Sequence, residues 1–386
     1  MATLITAADR ASFRRCRREW DLGARSRQDY EPLAAARGID VAQALNDALA
    51  VYYFPGMWDW DRSFVQDRTV EAFHRSLHRQ RQTAAERRPP PEQAEEALTE
   101  DAASGEALLA RYFVWAPGVD RFAPIRVASD YEVLIEDPDE PERGLADPAG
   151  SPLHYAGRVD LLIMDAEDRY WVMRHRTIAN GWSGREQLRL DDRDVADCWA
   201  WQASYPGLEV AGTVSNELWI GGRSGPTGIA GTVPRADPPP ARSVHLPQHE
   251  PSGGGRTIGT HRRAQVACKA DPVALSVEDL GPGFRRTWIG RTQAEIAEAG
   301  RNIGLTALDM VDQGLRLYPT PAPGHCPSCA FRMPCMAMNE GADADAAAIL
   351  ARDYRKRPPE VVERGRLGGV TWGLGRGAAP PPDPTP

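Results

Sequence analysis

The sequence predicts an α/β fold, a small mixed sheet of four or five strands flanked by helices, and three features point to it. From Val41 to about Tyr112 apolar residues recur at helical spacing, from Tyr131 the period changes to two, and beyond Asp191 helical and strand-like segments alternate. A chain of 386 residues with 42% apolar and 26% charged side chains has ample material for a core. It contains no run of about 18 apolar residues to cross a bilayer. Its N-terminus lacks an apolar secretory stretch, so a cytoplasmic location without a membrane partner is expected.

A first helix is expected from Thr6, where Thr6-Ala-Ala-Asp9 has the form of a capping box and Phe13, Cys16 and Trp20 follow at helical spacing. One face carries Arg10, Arg14, Arg15, Arg17 and Arg18, opposed by Asp9, Glu19 and Asp21. Arg10, Arg14 and Arg17 are the residues expected to meet DNA phosphates; the alternative is a solvated face. Residues 41–115 read as a helical insertion interrupted at Pro89-Pro90-Pro91, in which Trp58 and Trp60 serve local packing.

Strands follow over Glu132 to Ile135, Tyr155 to Met164 and Tyr170 to Thr177, with Asp165-Ala-Glu-Asp168 as the turn between the last two. A helix over about Asp191 to Tyr205, a strand over Val210 to Ile220, a Gly/Pro-rich loop at 221–262, a short strand over Phe284 to Trp288 and a helix from Thr292 to Gly314 complete the order. Residues 1–345 are thus expected to form one domain. Residues 346–386 are an extension whose Pro/Gly-rich tail cannot bury enough surface to fold.

A net charge of −8 excludes a polycation that coats nucleic acid indiscriminately. Lys269 and Lys356 are the only lysines, so any catalytic lysine is one of these two. A phosphate-binding G-x-x-x-x-G-K-[S/T] loop is absent, which excludes a helicase motor. The sharpest local signal is Cys326-Pro-Ser-Cys329-Ala-Phe-Arg-Met-Pro-Cys335, a C-x2-C-x5-C cluster at 326–335. Three thiols within ten residues point to a metal or a metal cluster rather than a disulfide framework. Zinc needs a fourth ligand close by, such as His325, and an iron–sulfur cluster needs a fourth thiolate, for which Cys16 is a candidate.

A lone cysteine in a basic N-terminal helix, followed far downstream by C-x2-C-x5-C just after Leu317-Tyr-Pro-Thr-Pro321, resembles the iron–sulfur nucleases of the RecB-like, AddB-like branch of the PD-(D/E)XK superfamily. The resemblance implies a restriction-endonuclease-like core and a [4Fe–4S] cluster on Cys16, Cys326, Cys329 and Cys335 that clasps the two chain ends. Tyr155-Ala-Gly-Arg-Val-Asp160 is similar to the strand that ends in the family's metal-binding aspartate. The family's acid and lysine then correspond to Arg174 and Arg176 in Arg174-His-Arg-Thr177, and its Gln/Tyr helix to Gln202-Ala-Ser-Tyr205. Asn216-Glu-Leu-Trp219 fits the strand that follows, and the family's histidine is replaced by Ala42.

These departures decide the expected function. Phosphodiester hydrolysis needs carboxylates to hold Mg²⁺, and here only Asp160 remains as a weak metal ligand, facing two fixed cations. A salt bridge from Asp160 to Arg174 or Arg176 is expected, and Mg²⁺ binding is not. The leading expectation is a catalytically degenerate nuclease-fold protein, a DNA-binding or assembly subunit beside a helicase or nuclease partner. The alternatives are an active DNA exonuclease whose acid has migrated to Glu186, Asp194 or Asp197, and an iron–sulfur interaction or redox protein that binds no DNA.

Overall fold

The structure is a computed structural model and describes residues 2–33, 40–87, 92–179, 181–220 and 278–357. Pro89 to Pro91, the loop at 221–262, Cys268, Lys269 and the tail from 358 onward lie outside the described residues. Among the residues described, seven strands form one mixed sheet with helices on both faces.

The chain enters through β1 (Thr3–Thr6) and turns into α1 (Ala7–Arg15) at the capping box. Thr6 Oγ1 accepts from the Asp9 amide at 3.0 Å, and the Asp9 carboxylate accepts from the Thr6 amide at 3.1 Å. The helix does not continue to Trp20. It breaks at Cys16, whose backbone is extended (φ −160°, ψ 113°), and restarts as α2 (Arg17–Gly23). Phe13 and Trp20 still meet edge to face at 5.0 Å across the break. Apolar spacing reports which side chains are buried, not whether the backbone between them stays helical.

After β2 (Tyr30–Pro32), the insertion consists of α3 (Val41–Tyr52), α4 (Arg62–Arg87) and α5 (Glu92–Val119). Leu45, Leu49, Phe73 and Leu109 from these helices cover one face of the sheet, against Leu161, Ile163, Trp171 and Met173. Trp58 stacks on Tyr53 at 6.1 Å beside them, while Trp60 is exposed.

β3 (Phe122–Leu134), β4 (Leu153–Asp165) and β5 (Tyr170–Ile178) form an antiparallel meander. β3 spans 13 residues, far more than the expected Glu132 to Ile135. Its first half escapes the alternation test because the register slips between Pro124 and Arg126 and Ala128 takes a positive φ of 44°. Across that kink the side chains change face. Val127 and Leu161 join the insertion's cluster, whereas Tyr131, Val133, Tyr155 and Val159 join the opposite one.

α6 (Arg185–Arg189), α7 (Asp192–Ser204), β6 (Val210–Trp219), β7 (Glu278–Gly281), β8 (Phe284–Gly290) and α8 (Gln293–Val311) follow. β6 is parallel to β5 and antiparallel to β8, and β7 closes that edge. α1, α7 and α8 cover the second face, where Ala196, Cys198, Trp201 and Ile303 pack on Val159, Leu162 and Val172. α7 approaches α8 at Gly300, where a Cβ would stand 2.2 Å from Trp199 Nε1. β1 and β7 exceed the expected strand count; at four residues each they are too short to show alternation.

α9 (Arg332–Asn339), α10 (Asp343–Asp353) and β9 (Tyr354–Lys356) end the described chain. β9 pairs with β2 beside an apolar cluster of Leu22, Phe331, Leu350 and Tyr354, which joins the first segments to the last. Among the described residues no helix is long and apolar enough to cross a membrane.

One feature of the sheet prepares the site. On the edge of β4 opposite β3, Leu153 to Ala156 pair with β1 and Leu161 to Met164 pair with β5. Between these pairings, over residues 157–160, the sheet opens, and Asp160 stands at the mouth of the opening.

Candidate functional site

Past Met173, β5 leaves β4, so a strand amide there has lost its ladder partner. The His175 amide donates instead to Asp160 Oδ2 at 3.0 Å. Burial pushes the Asp160 carboxyl above its ordinary range, opposed first by the charge of Arg174.

Arg174 and Arg176 do not make the expected salt bridge to Asp160; they reach across to α7. Arg174 pairs with Asp197 and, through Nε, with Asp194 Oδ1 at 3.2 Å. Arg176 pairs with Asp191 at 2.8 Å and with Asp194 at 2.6 Å. The reason lies in α7 itself: Asp191 caps it, accepting from the Arg193 and Asp194 amides, while Asp194 and Asp197 sit one turn apart on a single face. Tyr131 donates its hydroxyl to Asp197 at 2.6 Å. The glycine of the Tyr155 to Asp160 segment makes this possible, since a Cβ on Gly157 would stand 2.2 Å from the Tyr131 oxygen.

Four carboxylates and two guanidinium groups therefore share one largely buried site. Burial raises Asp160, Asp194 and Asp197, the last to about 6. At Asp191 burial is outweighed by the charge and hydrogen bond of Arg176, and its carboxyl falls below the ordinary range. Arg174 is buried too, yet the charges of Asp197 and Asp194 hold it more firmly protonated. Of the carboxylates considered as migrated acids, Asp194 and Asp197 reach the site and Glu186 is exposed at the surface.

Gln202 and Tyr205 lie at the other end of α7, about 12 Å and about 16 Å along the helix from Asp194. Gln202 accepts from the Val210 amide and donates to Gln293, each at 3.0 Å. Tyr205 packs on Trp201 at 4.8 Å and under Arg126 at 5.2 Å. Both residues tie α7 to its neighbours and neither reaches Asp160. Ala42 falls in the first turn of α3.

The basic face of the first helix is also engaged within the protein. Arg10, with a side chain only 4% exposed, binds both oxygens of Asp192, and Arg14 joins the same carboxylate at 2.8 Å. Arg17 lies over Phe13 at 5.3 Å and Tyr318 at 5.2 Å. Arg10, Arg14 and Arg193 line a groove of about 460 Å³ beside Asp191 and Asp192, from which the half-exposed Arg14 can turn outward.

A second polar network lies under the insertion, and sequence patterning gives no sign of it. Arg286 is fully buried and binds Asp120, Tyr53, Tyr112 and Asn216. Asn216 donates to Tyr112 at 3.0 Å and meets His175 Nδ1 at 2.9 Å. Burial drives His175 down to about 3, so it stays neutral. Its neighbour in sequence, Arg176, faces the opposite side of the sheet.

The four cysteines line a single cavity. Cys16, at the break between α1 and α2, lines one cavity of about 220 Å³ with Cys326, Cys329 and Cys335. Three of the sulfurs meet an N–H donor. The Thr320 amide donates to Cys16 at 3.4 Å, the Ala322 amide to Cys326 at 3.2 Å and Arg18 to Cys335 at 3.6 Å. At Cys329 burial raises the thiol, and the hydrogen bond from the Phe331 amide opposes that rise.

None of the four is in a disulfide. Among the described residues no group of three or more His, Cys, Asp or Glu is placed to hold a metal ion. His325 Nε2 is 3.9 Å from Cys326 Sγ. Cys198 is fully buried against the Gly212 carbonyl and packs in the core.

No family model and no curated protein matches the chain. Among solved structures it is similar to one described as the crystal structure of SSO0001, at 12% identity and a TM-score of 0.27, over 77% of this chain and 94% of that one. A likeness at that level carries no argument about function.

Proposed function

We propose that the protein is a catalytically silent, RecB-like PD-(D/E)XK nuclease-fold subunit that carries a [4Fe–4S] cluster and serves in DNA binding or in assembly with a helicase or nuclease partner. The observation that carries the silence is the pairing of Arg174 and Arg176 with Asp191, Asp194 and Asp197 beside Asp160. Metal-dependent hydrolysis needs a cation bound to free carboxylate oxygens and a polarised water. Here two guanidinium groups fill that place, and a divalent cation would have to displace them against like-charge repulsion. The opening of the sheet at Asp160 and the convergence of four cysteines from both ends of the described chain support the family reading.

The test is incubation with Mg²⁺ or Mn²⁺ and single-stranded, duplex or forked DNA, with binding followed in the same samples at low salt. No cleavage and no metal-dependent thermal stabilisation are expected. Metal-dependent cleavage that Asp160→Ala abolishes contradicts the proposal and makes Asp194 or Asp197 the migrated acid of an active exonuclease. Absence of binding to single-stranded, duplex and forked DNA at low salt favours instead an iron–sulfur interaction or redox protein that binds no DNA.

A further inference from the structure

The arginines around the first two helices are mostly neutralised by carboxylates. Arg10 and Arg14 share Asp192, Arg15 pairs with Glu19, and Arg27 pairs with Asp21. Arg18 is placed differently. Its Nη1 donates to Asn339 Oδ1 at 2.6 Å, and it also approaches the Cys335 carbonyl at 3.4 Å and Cys335 Sγ at 3.6 Å. Its hydrogen-bonding partners among the described residues include no carboxylate. Asn339 lies one turn beyond Cys335 on α9, so the helix that presents the sulfur also presents the acceptor that aims the guanidinium at it.

The Cys16 and Cys326 sulfurs each receive an N–H from the neutral backbone, with the His325 ring also near Cys326, whereas among the described residues the donor at Cys335 is a fixed positive charge on the cavity wall. We infer that Arg18 sets the reduction potential of the cluster, an inference that rests on the cluster proposed above. Reduction adds one electron, and hence one negative charge, to the cluster. A guanidinium hydrogen-bonded to a ligand sulfur stabilises that added charge and raises the potential. Arg18 is in this account a tuning residue and takes no part in bond making.

The experiment is an anaerobic redox titration of the full chain with dithionite as reductant, followed by the spectrum of the reduced cluster, with iron per chain measured in parallel. Arg18→Met removes the charge at similar length, Arg18→Lys keeps the charge without the fork, and Asn339→Ala keeps the guanidinium but releases its anchor. With iron content equal to the unmodified protein, Arg18→Met should move the midpoint to lower potential, with Arg18→Lys and Asn339→Ala between the two. An unchanged midpoint in iron-loaded Arg18→Met overturns the inference. Should Arg18→Met fail to hold iron, Asn339→Ala decides: a lower midpoint supports the role, and an unchanged one overturns it. Absence of iron from the unmodified protein is a different result, since it removes the cluster reading itself before any potential is measured.

Discussion

At Asp197 burial raises the carboxyl while the Arg174 charge and the Tyr131 hydroxyl lower it, and burial wins, leaving a value of about 6 against an ordinary 3.8. The folded state therefore binds more protons than the unfolded chain between those two values. The stability contributed through this group is fully present below about pH 4 and is lost as pH rises through about 6. In Asp197→Asn the side chain does not titrate, so the variant's unfolding midpoint should rise relative to the unmodified protein between about pH 4 and pH 7. A difference that is flat across that window would show that Asp197 is ionised throughout. Gly157 supplies a second prediction. Alanine there collides with Tyr131, and overpacking of this kind typically costs about 1–3 kcal/mol. Chemical denaturation of Gly157→Ala should show that loss, and a variant as stable as the parent would mean that Tyr131 is not held over β4. The candidate residues themselves were partly legible. Asp160, Arg174 and Arg176 stand out by their order along the chain, but their partners are set by how α7 crosses β5, and no spacing rule encodes that crossing.

Among the elements, α1 and α7 meet through Arg10 and Asp192, and this contact separates two roles that look alike in sequence. Arg10→Ala strips one of two guanidinium partners from a part-buried carboxylate and should cost about 1–3 kcal/mol of stability. It should leave the salt dependence of the proposed DNA binding unchanged, because the Arg10 side chain is only 4% exposed. Arg14→Ala should cost little stability and should make the log–log salt slope shallower by about one unit. The opposite pattern in an anisotropy titration would place Arg10 on the DNA. The break at Cys16 was not legible, since no glycine or proline marks it; at the break the thiol meets the Thr320 amide. The hairpin of β4 and β5, α7, β6, β8 and α8 were legible because each has strong periodicity or a cap. β1, β7 and the kinked half of β3 have neither.

On the scale of the whole molecule, the two ends of the described chain are joined twice. The cysteine cavity joins Cys16 to residues 326–335, and β2 with β9, the stacked Phe331 and Tyr354 rings at 5.5 Å, and the Arg357 to Asp29 ion pair join them independently. Cys16→Ser should therefore lose the proposed cluster without separating the ends. Hydrogen exchange should speed up over 326–339 while Tyr30 to Pro32 and Tyr354 to Lys356 stay protected. Loss of protection in both regions would show that the cluster alone holds the ends together. The central claim is that these four cysteines carry a [4Fe–4S] cluster on a silent nuclease scaffold, and metal content reads it most directly. Anaerobically purified protein should contain about four irons per chain, no stoichiometric zinc, and a broad absorbance near about 400 nm. Stoichiometric zinc without iron would contradict the account.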